Sequence, residues 1–534
     1  MTRKLSWVRC GRRRSMLVKE RHHSLWIRCT LVCRLASWVV GTARGTRWRL
    51  VLAPGPSDRS RPVASAVRDR LRRAADDHQH SRASDRTVAA QPGPVAPHGV
   101  VVVTERTVQG INVVEAAGLI RARGVRYGTA RRFAPAEPAS PGQELADGTR
   151  RGPACPQLPS RLDMVNGPVV DELASDEDCL VLSVAAPADA DGLPVMVWFH
   201  GGAYMTGSGE AVKYDTDVLA REGHVVVVNV SYRLGIFGYL TPDGIDEDNL
   251  GLRDQILALR WVRDNIAKFG GAPGRVTIFG QSAGGDSVLS LMLCPETEGL
   301  FQRAIMQSAP LGVRDGREMM TASQRSVVTD ALGRTPRTAS VERILSAQAA
   351  AIHAAASFGA VSGLPFAPIL GRAPLPDAAA VPARIAEIAP RIELLIGYTK
   401  NDAAPFVAMR PASHSLGRLG VLGKIILRII TGVATRKIFG RPARRLADDW
   451  ARHGGQVATY RFDWAPEDAP FGACHCIDLP NLFGVPADWA DAPMLGPTRA
   501  LDAELATRVR RCWTGFAHDG ITVLKSRTLR FDAK

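Results

Sequence analysis

The sequence lacks several features that would assign it to other classes of protein. No stretch of about eighteen residues is apolar and free of charge, so we expect no membrane-spanning helix. No two cysteines have Cys-x-x-Cys spacing, which removes the commonest sequence sign of a zinc site. No internal repeat is apparent. What is present is a chain of 534 residues, 46% of them apolar, which is ample for a large buried core.

Surplus positive charge is missing from most of the chain. The formal net charge is +16, but residues 1–98 hold 21 Lys or Arg and 6 Asp or Glu, whereas the remaining residues hold 47 and 46. We therefore divide the chain into a basic extension, 1–98, and a domain, 99–534. Because the domain is nearly neutral, we expect it to bind no nucleic acid.

The extension has no sustained helical or strand periodicity. Its most apolar portion, 24–41, contains Arg28 and Arg34, which a signal-peptide core would not tolerate well. Residues 53–98 are rich in Pro, Ser, Asp and Arg, as in a disordered linker. One interpretation is a nucleic-acid or membrane-surface arm; the other, which we favour, is that translation begins downstream. The odd cysteine total of nine and the lack of a signal peptide favour a cytoplasmic location.

The most informative motif is Gly-x-Ser-x-Gly around Ser282. An apolar run, 276–279, precedes it and an amphipathic stretch, 287–292, follows it. This context predicts a nucleophile elbow, a sharp strand-to-helix turn that exposes one serine hydroxyl. Side chains at Gly280 or Gly284 would collide with the neighbouring strand or helix. The helix directs its free N–H groups towards the negative charge that develops during acyl transfer.

A second motif, His200-Gly201-Gly202, ends another apolar strand. Glycine lets a substrate approach the backbone closely, so the N–H groups of Gly201 and Gly202 can bind the carbonyl oxygen that Ser282 would attack. The N–H of Ala283 would be the third donor of this oxyanion hole. The alternative is a glycine turn with His200 hydrogen-bonded locally, and we disfavour it because the serine motif lies downstream.

These motifs belong to a series of blocks in which the chain, from about residue 99 onward, resembles the type-B carboxylesterase family. This branch of the α/β-hydrolases includes cholinesterases and bacterial carboxylesterases. The blocks keep the family's order and lie at 152–157, 176–184, 194–207, 230–240, 249–285 and 301–308. The resemblance implies an α/β-hydrolase fold, a mostly parallel central sheet with helices on both faces and catalytic loops at the carboxyl ends of the strands.

The resemblance also implies a triad in the chain order serine, acid, histidine. Asp402 falls on the family's acid position, within 394–406, and His475 falls on the base position, within 471–483. The histidine would take the serine proton, and the acid would orient the imidazole. Two residues depart from the family. Asp402 replaces the usual Glu, and Gln281 stands where Glu is frequent. The pH profile and substrate range of the family therefore apply less directly to this chain.

Asp402 and His475 each have an alternative role. An acidic residue in a polar loop, such as Asp402, is usually solvated. His475, between Cys474 and Cys476, could be a zinc ligand. If the three residues lie on a strand, their side chains alternate between its faces, so one metal ion could not easily take all three. We therefore favour the base and acid roles and expect no metal.

Two further segments bear on the substrate. Cys155 and Cys179 lie on blocks that a disulfide joins in secreted relatives, and the sequence leaves their oxidation state open. Between them, where choline-binding relatives place an aromatic residue, the chain has none, so choline esters are not expected. The segment 416–433 has apolar residues at helical spacing with three basic residues. It is either a membrane-surface or lid helix or, as we favour, a helix packed on the core beside the substrate gorge.

The order of apolar runs and helical patterns predicts an α/β fold with a mostly parallel sheet covered on both faces. We expect strands at 195–199, 225–232, 276–279, 304–307, 394–397 and 457–464. We expect helices at 250–269, 283–293, 443–452 and 498–518, and alanine-rich helices within 312–390.

Together these features predict a serine carboxylesterase that hydrolyses uncharged carboxylic esters through Ser282, His475 and Asp402 and an acyl-enzyme, with no cofactor. The expected partner is a small-molecule ester, and the oligomeric state stays open. One alternative is a non-catalytic cholinesterase-like binding module, which is disfavoured because no triad member is missing. Others are a lipase acting on long-chain esters and a nucleic-acid-associated protein acting through the basic extension.

Overall fold

The computed structural model describes residues 103–108, 110–140 and 148–532, and these belong to one compact unit. The extension 1–98 and its predicted boundary lie outside the described residues. Within the described residues, thirteen strands form, and they are β1 Val103–Val108, β2 Ile111–Ala116, β3 Leu119–Arg126, β4 Gly128–Thr129, β5 Glu137–Pro138, β6 Val181–Pro187, β7 Leu193–Phe199, β8 Val226–Val230, β9 Gly271–Gln281, β10 Arg303–Gln307, β11 Glu393–Thr399, β12 Val457–Phe462 and β13 Thr528–Phe531.

Eleven of these strands form one sheet in the order β1-β2-β3-β6-β8-β7-β9-β10-β11-β12-β13, while β4 and β5 pair separately. In this order, every neighbouring pair from β8 onward to β13 is parallel. The pairs from β1-β2 to β6-β8 are antiparallel. The carboxyl ends of β7, β9, β10, β11 and β12 therefore meet at one edge of the sheet, where α/β proteins build their sites.

Thirteen α-helices form within the same described residues, and they are α1 Asp163–Asn166, α2 Asp217–Gly223, α3 Gly235–Tyr239, α4 Leu250–Asn265, α5 Ala283–Leu293, α6 Glu318–Leu332, α7 Val341–Ala355, α8 Val381–Ile388, α9 Ala404–Ala408, α10 Pro411–Gly417, α11 Gly420–Thr435, α12 Arg441–Arg452 and α13 Ala503–Asp519. One π-helical turn, Arg436–Gly440, joins α11 to α12. No helix of the described part is long and apolar enough to cross a membrane.

Helices cover both faces of the sheet. Side chains of β7 alternate between two apolar clusters, with Val197 and Phe199 in the first and Met196 and Trp198 in the second. Helices α4 and α5 contribute to the first cluster, and α2 and α13 contribute to the second. A strand that is apolar on both faces is the pattern expected of a buried parallel sheet.

The predicted fold class is confirmed, and each of the six expected strands and four expected helices is present. The helix predicted at 283–293 has the same ends in the structure, whereas each of the others is shifted at one end or at both. The sequence prediction named none of β1, β2, β3, β6 or β13. Four of these, β1, β2, β3 and β13, contain charged residues, such as Glu105 in β1, and each lies at a sheet edge or pairs antiparallel. Such alternating, half-exposed strands lack the continuous apolar run that made the central strands recognisable.

The helix that follows the serine motif is not amphipathic, contrary to the prediction. Every residue of α5 is buried. Its polar residue Asp286 accepts a hydrogen bond from the Tyr204 hydroxyl at 2.7 Å and pairs with Arg314 at 2.7 Å. The polar residues of this helix face buried partners rather than water, so polarity in the sequence did not indicate exposure.

The segment 416–433 contains the end of α10 and most of α11, so the predicted helix is present from Gly420 onward, but the favoured interpretation, core packing, is wrong for most of it. Only one side packs, through Leu427 and Ile430, against a small cluster that contains Phe406 and Phe439. Six large apolar side chains of the segment remain exposed. One is Leu419, and the other five lie on α11 and are Val421, Leu422, Ile425, Ile429 and Val433.

Candidate active site

Ser282 occupies the sharp turn between β9 and α5. Its backbone has φ 59° and ψ −123°, a conformation that residues with a side chain rarely adopt. Hydrogen bonds hold this turn on both sides, because the Ser282 N–H donates to the Gln307 carbonyl at 2.8 Å and its carbonyl accepts from Asp286 N–H at 3.0 Å. Such strain persists only where the surroundings impose it, and it marks functional positions.

The glycines of the motif are required by close backbone contacts. A Cβ atom on Gly280 would overlap the backbone of Gly284, and a Cβ atom on Gly284 would overlap the carbonyl oxygen of Phe199. Strand β7 therefore lies directly against the serine turn. This is the physical reason why the turn tolerates no side chain at either glycine.

His475 and Asp402 form a buried pair at the same edge of the sheet. The Nδ1 atom of His475 lies 2.5 Å from Oδ1 of Asp402, and both side chains are fully buried. The second Asp402 oxygen accepts the Thr399 N–H at 3.0 Å. Because a carboxylate only accepts, the imidazole proton lies on Nδ1, which leaves the Nε2 lone pair free to accept a proton. The rings of Phe406 and Phe439 enclose the imidazole at 5.1 and 5.4 Å between centroids.

The Gln281 side chain contacts the base directly, which sequence reasoning missed. Its amide Nε2 lies 3.2 Å from His475 Nε2, and its Oε1 accepts from the Cys476 thiol at 3.6 Å. Among the hydrogen bonds of the described residues, this one occupies His475 Nε2, and none joins that atom to Ser282. The sequence had marked Gln281 only as a departure from the family, because a contact across 194 residues leaves no local pattern.

The three predicted oxyanion-hole residues border the serine turn. Gly201 lies against it closely, since a Cβ atom there would be 3.2 Å from the Ser282 Cβ. Among the loop and turn hydrogen bonds of the described part of the chain, Gly201 and Gly202 N–H groups donate none. Ala283 is the first residue of α5, so its N–H has no partner inside the helix. The three N–H groups are therefore available to a ligand.

His200 holds the glycine loop rather than taking part in proton transfer. Burial lowers the pKa of His200 to about 4, so its ring is neutral at pH 7. The Nδ1–H group donates to the Gly201 carbonyl at 2.8 Å, and the ring stacks on Tyr232 with 4.4 Å between centroids. The Tyr232 hydroxyl donates to the His200 carbonyl at 2.7 Å. These contacts fix the peptide planes that direct the Gly201 and Gly202 N–H groups.

Asp478 is a second buried acid beside the pair, and the sequence analysis assigned it no role. Gln307 Nε2 donates to its Oδ2 at 2.7 Å, while Oδ1 has no hydrogen-bond partner among the described residues. Burial, opposed by the Gln307 hydrogen bond and reinforced by the Asp402 carboxylate, raises the pKa of Asp478 to about 6. Its place three residues after His475, in the same block, was the one available signal.

A cavity of about 270 Å³ opens beside the glycine loop, lined in part by Gly201, Gly202 and Gln281. Its outer wall comes from 157–171, and combines apolar residues such as Leu158 with the acid Asp163. Burial and the nearby Asp171 raise the pKa of Asp163. The cavity can accept a small molecule whose carbonyl reaches the N–H groups of Gly201 and Gly202, the two oxyanion-hole residues that line it.

The cysteines near the site form no metal cluster. In the described part of the chain, no three His, Cys, Asp or Glu side chains have an arrangement that could hold a metal ion. Residues 474–476 lie in a turn rather than a strand, and the Cys474 thiol contacts the His475 carbonyl. Cys155 and Cys179 are free, buried thiols, and the Cys155 side chain together with burial raises the pKa of Cys179.

Comparison with known proteins agrees with this architecture. The sequence model of the carboxylesterase family matches residues 99–418. Para-nitrobenzyl esterase from Bacillus subtilis (strain 168) is 36% identical over 425 residues, which cover 73% of this chain and 83% of that protein. A protein named "Probable N-octanoylanthranilate hydrolase" from Rhodococcus erythropolis is 42% identical over 402 residues, which cover 74% and 88% of the two chains.

Comparison with a solved structure also supports the fold. A thermophilic PNB esterase matches with a TM-score of 0.67 and 32% identity, over 79% of this chain and 94% of its own. The predicted resemblance is confirmed. This chain belongs to the carboxylesterase family and is a carboxylic ester hydrolase with the α/β-hydrolase fold.

Proposed function

We propose that this protein is a serine carboxylesterase that hydrolyses uncharged esters, with Ser282 as nucleophile, His475 as general base and acid, and Asp402 as the residue that orients His475. One observation carries the proposal. The strained serine turn and the buried His475–Asp402 pair are linked through Gln281, the residue next to Ser282, which contacts the His475 Nε2 atom. Nucleophilic acyl transfer requires a serine hydroxyl and an imidazole lone pair close together, and Nε2 of His475 supplies that lone pair once Gln281 releases it.

The reaction follows from this geometry in two halves. The Ser282 oxygen bonds to the acyl carbon while its proton passes to His475 Nε2, and the oxyanion accepts hydrogen bonds from Gly201, Gly202 and Ala283 N–H groups. His475 then protonates the leaving alcohol as the acyl–oxygen bond breaks. Water attacks the acyl-enzyme with His475 as base, which releases the acid and restores Ser282.

Gln281 has to move during the first half. Its amide donates to the same Nε2 lone pair that must receive the serine proton. Once His475 is protonated, the Gln281 NH₂ group and the imidazolium N–H would be two donors facing one another. The Gln281 hydrogen bond therefore breaks when substrate binds, and the Ser282 hydroxyl takes its place.

The cavity favours uncharged acyl and alcohol groups. Its apolar residues, among them Leu158, Leu162 and Val169, suit hydrocarbon, and the carboxylates of Asp163 and Asp171 would repel an anionic substrate. The names of two relatives refer to para-nitrobenzyl esters and to an N-acyl anthranilate. The same nucleophile and oxyanion hole can process both ester and amide carbonyls, so amides belong in the test.

The test compares hydrolysis of p-nitrophenyl butyrate and of octanoyl p-nitroanilide by the full-length chain and by Ser282→Ala. We expect the ester turnover of the wild type to fall by about 10⁴-fold or more in Ser282→Ala, because no other residue replaces the nucleophile. A matched control is Ser308→Ala, since Ser308 is also a buried serine at positive φ at the end of the neighbouring strand β10.

The control should keep most of the activity, and a fluorophosphonate should label the wild type on the peptide that contains Ser282. Equal activity in Ser282→Ala and wild type would contradict the proposal. A folded wild type that hydrolyses neither compound and resists the fluorophosphonate would indicate a non-catalytic member of the family.

A further inference from the structure

Helix α11 exposes an apolar stripe that nothing in the described part of the chain covers. Val421, Ile425, Ile429 and Val433 follow one another at four-residue intervals and therefore lie on one face of the helix. Their exposures are 76%, 48%, 61% and 38%, and Leu422 beside them is 53% exposed. A row of five large apolar side chains in water is unusual for a protein surface and indicates a binding face.

The helix has three distinct sides. Leu427, Ile430 and Ala434 face the protein and pack in the cluster that contains Phe406 and Phe439. At about 100° per residue, Lys424 and Arg428 lie between that packed side and the apolar stripe. Both basic side chains are exposed. A helix with an exposed apolar face flanked by Lys and Arg is typical of segments that lie in the plane of a membrane interface.

Charge around the stripe is of one sign. Residues 403–447 contain nine Lys or Arg and no Asp or Glu. All nine basic residues are exposed, and none forms an ion pair with another described residue. The domain 99–534 as a whole is close to neutral, so the rest of the domain has an excess of acidic residues and its positive charge is concentrated in this segment. The partner that fits is anionic as well as apolar.

We propose that α11 docks this protein on an anionic lipid bilayer, with the apolar stripe in the acyl-chain boundary and Lys424 and Arg428 on lipid phosphates. The helix lies on the surface and does not cross it, since it has sixteen residues and no described helix could span a membrane. Two other occupants are disfavoured by charge. A second copy would bring the same basic segment against itself, and the extension 1–98 is itself strongly basic.

Docking at this face would bring the bilayer close to the site. The packed side of α11 contacts Phe406 and Phe439, whose rings enclose His475. In addition, the N–H of Ala403, next to Asp402, donates to the Thr435 hydroxyl at the end of α11 at 3.0 Å. An apolar ester dissolved in the bilayer would then enter near the catalytic residues without first crossing water.

The test measures binding of the full-length chain to phosphatidylcholine vesicles with and without phosphatidylglycerol. In Val421→Gln/Ile429→Gln, the stripe becomes polar while helix propensity is kept. We expect its affinity for the anionic vesicles to fall about tenfold or more, given the apolar area lost. The control Met319→Gln, at a 78% exposed methionine of α6, should change affinity less than about twofold.

A second variant tests the charge. Lys424→Gln/Arg428→Gln should lose about tenfold in affinity for the anionic vesicles and little for the neutral ones, because each basic residue near the surface contributes to anionic-lipid binding. Hydrogen exchange of the wild type should show new protection of peptides within 420–433 when vesicles are added. Unchanged melting temperature and unchanged hydrolysis of a soluble ester would show that the variants remain folded.

Three results would overturn the proposal. Equal vesicle affinity in wild type and Val421→Gln/Ile429→Gln would exclude α11 as the docking element. Protection confined to residues 1–98 would assign lipid binding to the extension instead. A dimer of the wild type that dissociates in the same variant would identify a second copy of this chain as the occupant of the stripe.

Discussion

At the scale of single residues, Gln281 connects the two parts of the candidate site. Its backbone precedes the nucleophile, and its side chain reaches the His475 Nε2 atom. Most resemblances between this chain and its family concern which residue types are present. The contact of Gln281 instead determines which group lies against the Nε2 atom of His475 before substrate binds.

Replacing Gln281 with Glu should move the acidic limb of the pH–rate profile to higher pH. A carboxylate beside His475 stabilises the protonated imidazole, which cannot act as a base, so more alkaline conditions are needed to free Nε2. We expect the acidic limb of kcat/KM against pH to shift by about one pH unit. The substrate is p-nitrophenyl butyrate, and the product is measured at an isosbestic wavelength. Gln281→Met, which removes the amide without adding charge, should leave the limb near its original position. A limb that moves equally in both variants would contradict the electrostatic explanation.

Asp478 should reduce the stability of the protein at neutral and alkaline pH. Its pKa rises from 3.8 in the unfolded reference to about 6, so the folded chain holds this proton more tightly. Its contribution to stability therefore decreases as pH rises between about 4 and 6, and Asp478→Asn should stabilise the protein by about 2–3 kcal/mol at pH 8. The gain should shrink towards pH 4, where Asp478 is protonated in the folded state.

Urea unfolding at several pH values measures this difference, with Asp448→Asn on the exposed side of α12 as control. The control should change the free energy of unfolding by less than about 0.5 kcal/mol throughout. A gain in Asp478→Asn that is the same at pH 8 and pH 4 would show that burial of the charge is not its cause.

At the scale of elements, the turn between β9 and α5 depends on glycine at two points. Gly284→Ala should cost several kcal/mol in free energy of unfolding or prevent folding, because the added Cβ overlaps the Phe199 carbonyl of β7. Gly432→Ala is a matched control in the last turn of α11, where a Cβ atom meets nothing within 4 Å. That variant should gain about 0.5–1 kcal/mol from helix propensity. Chemical denaturation of both variants checks the contrast, and equal effects would refute the steric explanation.

The helices and strands also show which features could be predicted from the sequence and which could not. The central strands and the helices α4, α5, α12 and α13 were predictable because each buries a continuous run or one regular stripe of apolar residues. For α11 the same periodicity predicted packing on the core, yet the stripe faces water. Periodicity identifies which side chains share a face, but a neighbouring element decides whether that face is covered. In α5 the error was the reverse, since the stretch 287–292 is amphipathic by its sequence pattern, yet every residue of the helix is buried.

At the scale of the whole molecule, the parallel order of strands assembles the site. Gly201 follows β7, Ser282 follows β9 and Asp402 follows β11, and these three strands end at the same edge of the sheet. His475 lies after β12, thirteen residues beyond the strand end at Phe462. Parallel strands bring residues that are 73 to 194 positions apart in sequence into contact, as in the pairs His475–Asp402 and His475–Gln281. No single element could do this.

The sequence by itself determined the features that depend on local backbone demands and on ordered motifs. Gly-x-Ser-x-Gly specifies a turn that only glycine can flank, and the block order indicates the carboxylesterase family and its fold. The assignment of Ser282, Asp402 and His475 to catalysis stays a prediction for the tests above, as does the cytoplasmic location.

Only the tertiary structure decided the partner of His475 Nε2, the burial that raises the pKa of Asp478, and the exposure of the α11 stripe. Each depends on which distant segment lies opposite a side chain. A local sequence pattern does not indicate which distant segment this is. The free energy of a contact or of burial depends on the groups that surround a side chain in space and not on its neighbours in the chain.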